Sequence, residues 1–330
     1  GAAALVLAAY EQYPGAFAPG QLSFPPTIAA VEAETGWPDI LREVKYELDW
    51  LLKMQRRDGM FFHKNASMGW ASIDSPPAAD VGERFVFGKS TYGTALASAT
   101  LAMAARIYEP FDAAYAETLL DAAEKGYAYL EAHPEFEYRF DEGQDNGSGA
   151  YRKDSDGEDR FWLAAELLRT TGDERYSRYL AEQHAARFSE RPRFLGWEHP
   201  LLLGQWAYVH SSVADSELKK QAEASILASA SETADVAARD GYRTLLEVRD
   251  YIWGSSRTLM AKASLLLMAN SLQSNEQYIG TAEEQLHYVL GRNALSYGFV
   301  TGHGTARSSK PHHRISLSTG ILMPGLMVGG

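Results

Sequence analysis

Four residues near the end of the chain, Pro311-His312-His313-Arg314, set two imidazoles beside a guanidinium. Upstream lie Tyr288-Val-Leu-Gly-Arg-Asn and Tyr297-Gly-Phe-Val-Thr-Gly, so a helical run ending near Gly291 gives way to glycine-punctuated loops. Loops carried on a rigid scaffold are where binding and catalytic groups gather. Neutral and cationic donors packed this closely suit an oxygen-rich ligand. Taken alone, the four residues are better read as a solvated basic loop.

Three other stretches carry groups of interest. Tyr251-Ile-Trp253-Gly-Ser-Ser-Arg257 sets a Trp and an Arg at i, i+4, which puts them on one face of a helix start. An ordinary core Trp next to a charged helix end fits that spacing equally well. Gly147-Ser-Gly-Ala-Tyr151 sits in an acidic loop with Asp141, Glu142, Asp145, Asp154, Asp156 and Glu158-Asp159. Such carboxylates can bind calcium, but the glycine and distal Glu of an EF-hand are misplaced, so a solvated loop is preferred and no metal is assigned. Asp58-Gly-Met-Phe-Phe-His63-Lys64 offers a histidine that a structural hydrogen bond would also explain. His184, His199, His210 and His287 lack metal-ligand spacing. No Ser/His/Asp arrangement, phosphate loop or dinucleotide fingerprint occurs.

The elements that must position these groups are helical. Apolar residues at helical spacing mark Ala2–Gln12, Asp39–Gln55, Thr91–Ile107, Ala113–Ala132 and Arg160–Thr170. They continue through Glu174–Phe188, Pro200–Val209, Ser216–Arg239, Ser255–Leu272 and Asn275–Leu290. Asp112, Asp173 and Asn275 are natural N-caps for the helices that follow them. Recurring helix–turn–helix units indicate a helical array. No alternating β-branched stretch predicts a substantial sheet. The loops at 57–90, 133–157, 189–199 and 291–330 are long, and long ordered loops are usually functional.

With 330 residues, 45% of them apolar, the chain can bury a sizeable core. Its net charge of −12 argues against nucleic acid and anionic membranes as partners. The absence of cysteine excludes disulfides and thiolate zinc sites. There is no apolar run of about 18 residues to span a membrane. The first ten residues lack the basic start of a secretory signal and read as a helix already under way.

The order and spacing of these words resemble glycoside hydrolase family nine, the cellulase and β-glycosidase family. Its "YxLGRNPLGxSYVTGxG", "HPHHR" and "PGxLVGGPN" are matched by Tyr288–Ala294, Phe299–Gly304, Pro311–Arg314 and Pro324-Gly-Leu-Met-Val-Gly-Gly330. Ala294 stands for the family proline and Lys310 for its first His. Leu51-Leu-Lys-Met-Gln55 with Asp58 to Lys64 is similar to "LLKMQxxDGGVYHKV", and Gly147–Tyr151 is similar to "GSGGY". The family's "DExxWAAAEL" is met with its acidic pair inverted, as Glu158-Asp159. The Trp-Gly-Ser word opens an inner helix in the family.

The resemblance implies an all-α fold, an (α/α)6 toroid of helical hairpins with a cleft formed by loops at one end. About ten of twelve helices are present, which makes residues 1–330 a single incomplete catalytic domain. It implies substrate contacts from His312, Arg314, Trp253, Arg257 and Tyr151 and, less directly, His63. Trp253 would offer an apolar face to a pyranose ring, and the planar fork of Arg314 could bridge two adjacent hydroxyls. Inverting hydrolysis needs a general acid and a carboxylate base roughly 6.5–9.5 Å apart. The family base comes from an Asp-Ala-Gly-Asp word expected before Gly1, and its acid Glu is expected after Gly330, so no catalytic residue is assigned here. The implied activity is inverting hydrolysis of a β-glucan or cellulose-like saccharide, without a cofactor, in a secreted or periplasmic protein. The alternatives are an exo-acting β-glucosidase or glucosaminidase of the same family, a catalytically incompetent carbohydrate-binding toroid, and a helical-repeat scaffold for protein. Residues 1–330 alone are expected to be inactive and poorly stable.

Overall fold

A computed structural model describes residues 1–23, 36–140 and 149–329. Among them are eleven α-helices: α1 (Ala2–Gln12), α2 (Asp39–Met54), α3 (Thr91–Tyr108), α4 (Ala113–Ala132), α5 (Gly157–Thr171) and α6 (Glu174–Gln183) come first. α7 (Leu201–Val209), α8 (Ser216–Arg239), α9 (Ser255–Leu272), α10 (Glu276–Val289) and α11 (Arg314–Thr319) follow. The ten helices expected from periodicity are all present. α6 ends earlier than expected, at Gln183, and a 3-10 turn over Ala185–Phe188 takes its place.

The chain divides into two compact units whose segments interleave in sequence. The first comprises Gly1–Ala66, Phe85–Arg187 and Leu203–Ser216, and the second Ser67–Arg84, Phe188–Leu202 and Glu217–Gly330. In the first unit α3 packs against α1, α4 and α5, and α5 against α6. α3 is buried along nearly its whole length, and its many alanines let its neighbours approach closely. Gly126 of α4 is part of that fit: a Cβ there would stand 1.9 Å from Ser98 Oγ. In the second unit α9 packs against α10.

The caps set where helices begin. Asp112 accepts from Tyr115 N–H at 2.9 Å, Asp173 from Arg175 N–H at 2.8 Å and Asn275 from Gln277 N–H at 3.0 Å, as their positions predict. Ser90 does the same for α3, accepting from Gly93 N–H at 3.1 Å. The three turns they serve close α3 onto α4, α5 onto α6 and α9 onto α10.

A small sheet, β1 (Phe62–Ser67), β2 (Arg84–Ser90) and β3 (Tyr138–Arg139) in that order, has no counterpart in the sequence reading. β2 and β3 run antiparallel, with Lys89 opposite Arg139 and Ser90 opposite Tyr138. Aromatic, Lys and Gly residues build it instead of alternating β-branched ones, so pairing between distant segments makes the strands rather than local propensity.

The first unit also buries charge. Glu166 is 2% exposed and takes bonds from Trp162 Nε1 at 3.0 Å and Arg106 Nη2 at 3.0 Å. Arg106 and Arg169 both reach Glu11 at 2.8 Å, which ties α1, α3 and α5 together. Asp156 receives Arg160 Nε at 2.9 Å, and the same guanidinium donates to Leu130 O and His133 O.

Candidate functional site

The tail of the second unit is a hydrogen-bonded scaffold built from the words read in the sequence. Asn293, 4% exposed, donates through Nδ2 to Tyr288 O and Tyr297 O, and its Oδ1 accepts from Leu295 N–H at 3.0 Å. Phe299 N–H donates to Val289 O, which returns the loop to the end of α10. Val300 and Met327 then bridge antiparallel, with Val328 N–H on Phe299 O and Thr301 N–H on Leu326 O. Thr301 is fully buried, and its hydroxyl donates to Met323 O at 2.6 Å while accepting from Leu326 N–H at 2.9 Å. A hydroxyl is needed there because one side chain must serve both a carbonyl and an N–H.

This scaffold meets the start of α9. Ser256 N–H donates to Gly329 O at 2.8 Å, so the Trp-Gly-Ser and Val-Gly words are joined. Gly254 caps α9 at φ 92°, a left-handed conformation that suits glycine. Trp253 just before it is 92% exposed. Arg257, one turn on, is exposed as well.

The His-His-Arg residues separate into three roles. His312 is exposed and makes no hydrogen bond among the described residues. His313 is the N-cap of α11, its Nδ1 meeting Ser316 N–H at 3.3 Å. Arg314 donates from Nε to Ser75 O at 3.1 Å and from Nη1 to Asp80 at 2.8 Å, while its buried Nη2 has no partner. Asp80 also takes Arg84 at 3.0 Å, and the hydrogen bonds from these two guanidinium groups hold its carboxyl below the usual range. The Arg–carboxylate pairing weighed as the plain alternative for Arg314 is therefore present, with one nitrogen left over. Asp80 was not singled out in the sequence, because nothing local links it to a residue 234 positions away.

His63 and Tyr151 lie in the first unit. His63 Nε2 is 3.0 Å from Ala150 O, and a carbonyl only accepts, so Nε2 carries the proton. Nδ1 then accepts from Ser90 Oγ at 2.9 Å. Burial first, opposed by the Ala150 contact, lowers its pKa and keeps the ring neutral. Tyr138 OH also donates to Ala150 O, and Tyr92 OH to Tyr151 O at 2.7 Å. Three side chains thus pin the backbone that presents Tyr151, which is 58% exposed at φ 48°.

None of the acidic-loop carboxylates described forms a cation site. Asp154 pairs with Arg152, Asp156 with Arg160, and Asp159 with Lys153, each with its own cation. Asp141, Glu142, Asp145 and the first two residues of Gly147–Tyr151 lie outside the described residues. Asp159 has the raised carboxyl expected of a general acid, since burial pushes it up to about 7 against the pull of Lys153. Yet it is fully buried, with Lys153 Nζ at 2.8 and 2.7 Å from its two oxygens, so it has no face to offer a substrate.

A family model for Glycosyl hydrolase family 9 matches residues 2–330. Endoglucanase D of Acetivibrio thermocellus is 33% identical over 329 residues, covering 98% of this chain and 51% of the relative. A cellodextrinase of Butyrivibrio fibrisolvens is 31% identical, covering 99% of this chain and 62% of the relative. The crystal structure of the GH family 9 endoglucanase J30 superposes with a TM-score of 0.96 at 46% identity, over the whole of this chain and 60% of that one. The helical-hairpin fold class expected from the sequence, (α/α)6, is the one shared with that structure. The chain spans about half the length of the curated relatives it matches.

Proposed function

The chain belongs to glycosyl hydrolase family 9, and from that premise we propose that the protein containing it hydrolyses the β-glycosidic bonds of a cellulose-like β-glucan with inversion. One observation carries most weight: Trp253, almost wholly exposed, stands at the head of α9 where Ser256 is bonded to Gly329. An indole left in water on an ordered helix start contributes little to stability, and it suits the apolar face of a sugar ring. Arg257 and His312, exposed in the same unit, supply donors for ring hydroxyls, and Tyr151 is an exposed aromatic of the first unit that could meet a sugar in its own right. His63 acts at one remove, by fixing the Ala150–Tyr151 backbone.

In single displacement a carboxylate takes a proton from water as the oxygen attacks the anomeric carbon, and a carboxylic acid protonates the departing glycosidic oxygen. Neither role is assigned to a carboxylate of this chain. Its residues would hold the saccharide so that the attacking water and leaving oxygen stay in line, which lowers the barrier only where contacts strengthen in the transition state. A polymer of this kind is met outside the cell, so we place the protein there, secreted or periplasmic.

The test is proton NMR of the full-length protein acting on a soluble β-1,4-glucan. Inversion of a β-linkage releases the α-anomer first, which then mutarotates. Early β-anomer would overturn the proposed mechanism, and no cleavage of any β-glucan would leave a binding-only protein.

A further inference from the structure

The second unit holds a groove of ≈ 630 Å³ bounded by the 191–194 turn, one face of α8 and the loop before α9. Three carboxylates line it and each already has a cation. Glu232 pairs with Arg191, Glu247 with Arg249 at 2.7 Å, and Asp250 with Lys262 at 2.5 Å. Two further guanidinium groups line the same groove, those of Arg193 and Arg239. They have no carboxylate partner among the described residues. In a chain with a net charge of −12, the groove is a local reversal of sign.

A concave surface with unmatched charge focuses its field on what enters it. Planar guanidinium forks favour a carboxylate, which they can hold through two parallel hydrogen bonds. Phe194 and Ile252 line the groove as well and offer apolar surface for a ring. Ile252 adjoins Trp253 in the chain. Arg257 Nη1 also lies 3.9 Å from where a Cβ on Gly196 would stand, just beyond the 191–194 turn. The groove and the sugar-stacking position therefore share their loops.

We propose that this groove receives a carboxylate carried by the glucan itself, a uronic-acid or carboxymethyl substituent, with Arg193 and Arg239 as its donors. The inference rests on the β-glucan reading and narrows it to acidic glucans. A neutral glucan would leave both guanidinium groups unmatched.

The experiment compares kcat/KM of the full-length protein on carboxymethylated and hydroxyethylated β-glucan of equal chain length. The expected result is a preference for the carboxymethylated polymer of about tenfold, the size of one charge-assisted contact, which fades as salt rises. The double variant Arg193→Gln/Arg239→Gln should lose that preference while keeping its rate on the neutral polymer. The reversal Arg193→Glu/Arg239→Glu should favour the neutral polymer, and both variants should keep the parent melting temperature. Equal rates on both polymers, or a preference that survives in the Gln variant, would overturn the inference and leave the hydrolase reading standing. Failure to cleave either polymer would overturn both.

Discussion

His63 in the first unit and His312 in the second are both histidines of words that mark the family, and the fold uses them in opposite ways. His63 has both ring nitrogens bonded inside the protein, to Ser90 and Ala150. His312 is exposed, with no hydrogen bond among the described residues. Charges divide along the same line. Glu166 and Asp159 of the first unit are buried and matched, by Arg106 and Lys153, as is Asp250 of the second, by Lys262. Arg193, Arg239 and Arg257 lie exposed on loops or helix ends of the second unit. Burial makes an unmatched charge costly, so internal partners report on stability, whereas the exposed Trp253, Arg257 and His312 are the groups proposed to meet a ligand.

The largest effect that could break this comparison is at Glu166. Glu166→Leu leaves Arg106 with Glu11 alone of its two carboxylates and strands Trp162 Nε1, which should cost about 3 kcal/mol, read from the urea midpoint. A loss under about 1 kcal/mol would mean that the buried Glu166 is not what fastens α5 to α3.

A smaller effect depends on pH. Burial, reinforced by Arg187 and Arg160, lowers the His184 pKa from 6.5 to about 4. A histidine whose folded pKa is depressed is charged first in the unfolded chain, so stability is lost as pH falls from 6.5 towards 4. The loss attributable to His184 should reach about 2–3 kcal/mol. Asp159, raised to about 7, works in the opposite sense over part of this range, so the reading is parent minus His184→Phe. A difference that stays flat with pH would contradict the burial of a neutral imidazole there.

Thr301→Val is expected to cost about 1–2 kcal/mol, because Met323 O and Leu326 N–H lose their shared partner. Hydrogen exchange at the Leu326 amide should quicken in the variant. Unchanged exchange would show that the tail scaffold does not depend on that hydroxyl.

Much of this was legible in the sequence because it is local. Helical periodicity and the caps Asp112, Asp173 and Asn275 need only neighbouring residues to be read. α11 escaped notice because six residues give too little periodicity and its cap is a histidine, His313. The sheet escaped because β2 and β3 are brought together by tertiary pairing. The tail words could be read as words, but not the ladder between Phe299–Thr301 and Leu326–Val328. Among candidate site residues, the sequence marked His312, Arg314, Trp253, Arg257, Tyr151 and His63 without separating them. Asp80, bonded to Arg314, and Ala150, bonded to His63, make that separation, and both contacts join residues far apart in the chain.

The central proposal is that exposed groups such as Trp253, Arg257 and His312 bind substrate while matched ones hold the fold. Its most direct test is calorimetric binding of a cello-oligosaccharide to full-length His312→Ala, with the melting temperature measured on the same sample. The expected result is affinity weakened by roughly tenfold, the worth of one hydrogen bond to a sugar hydroxyl, at an unchanged melting temperature. Unchanged affinity, or a protein that melts several degrees lower, would contradict the account.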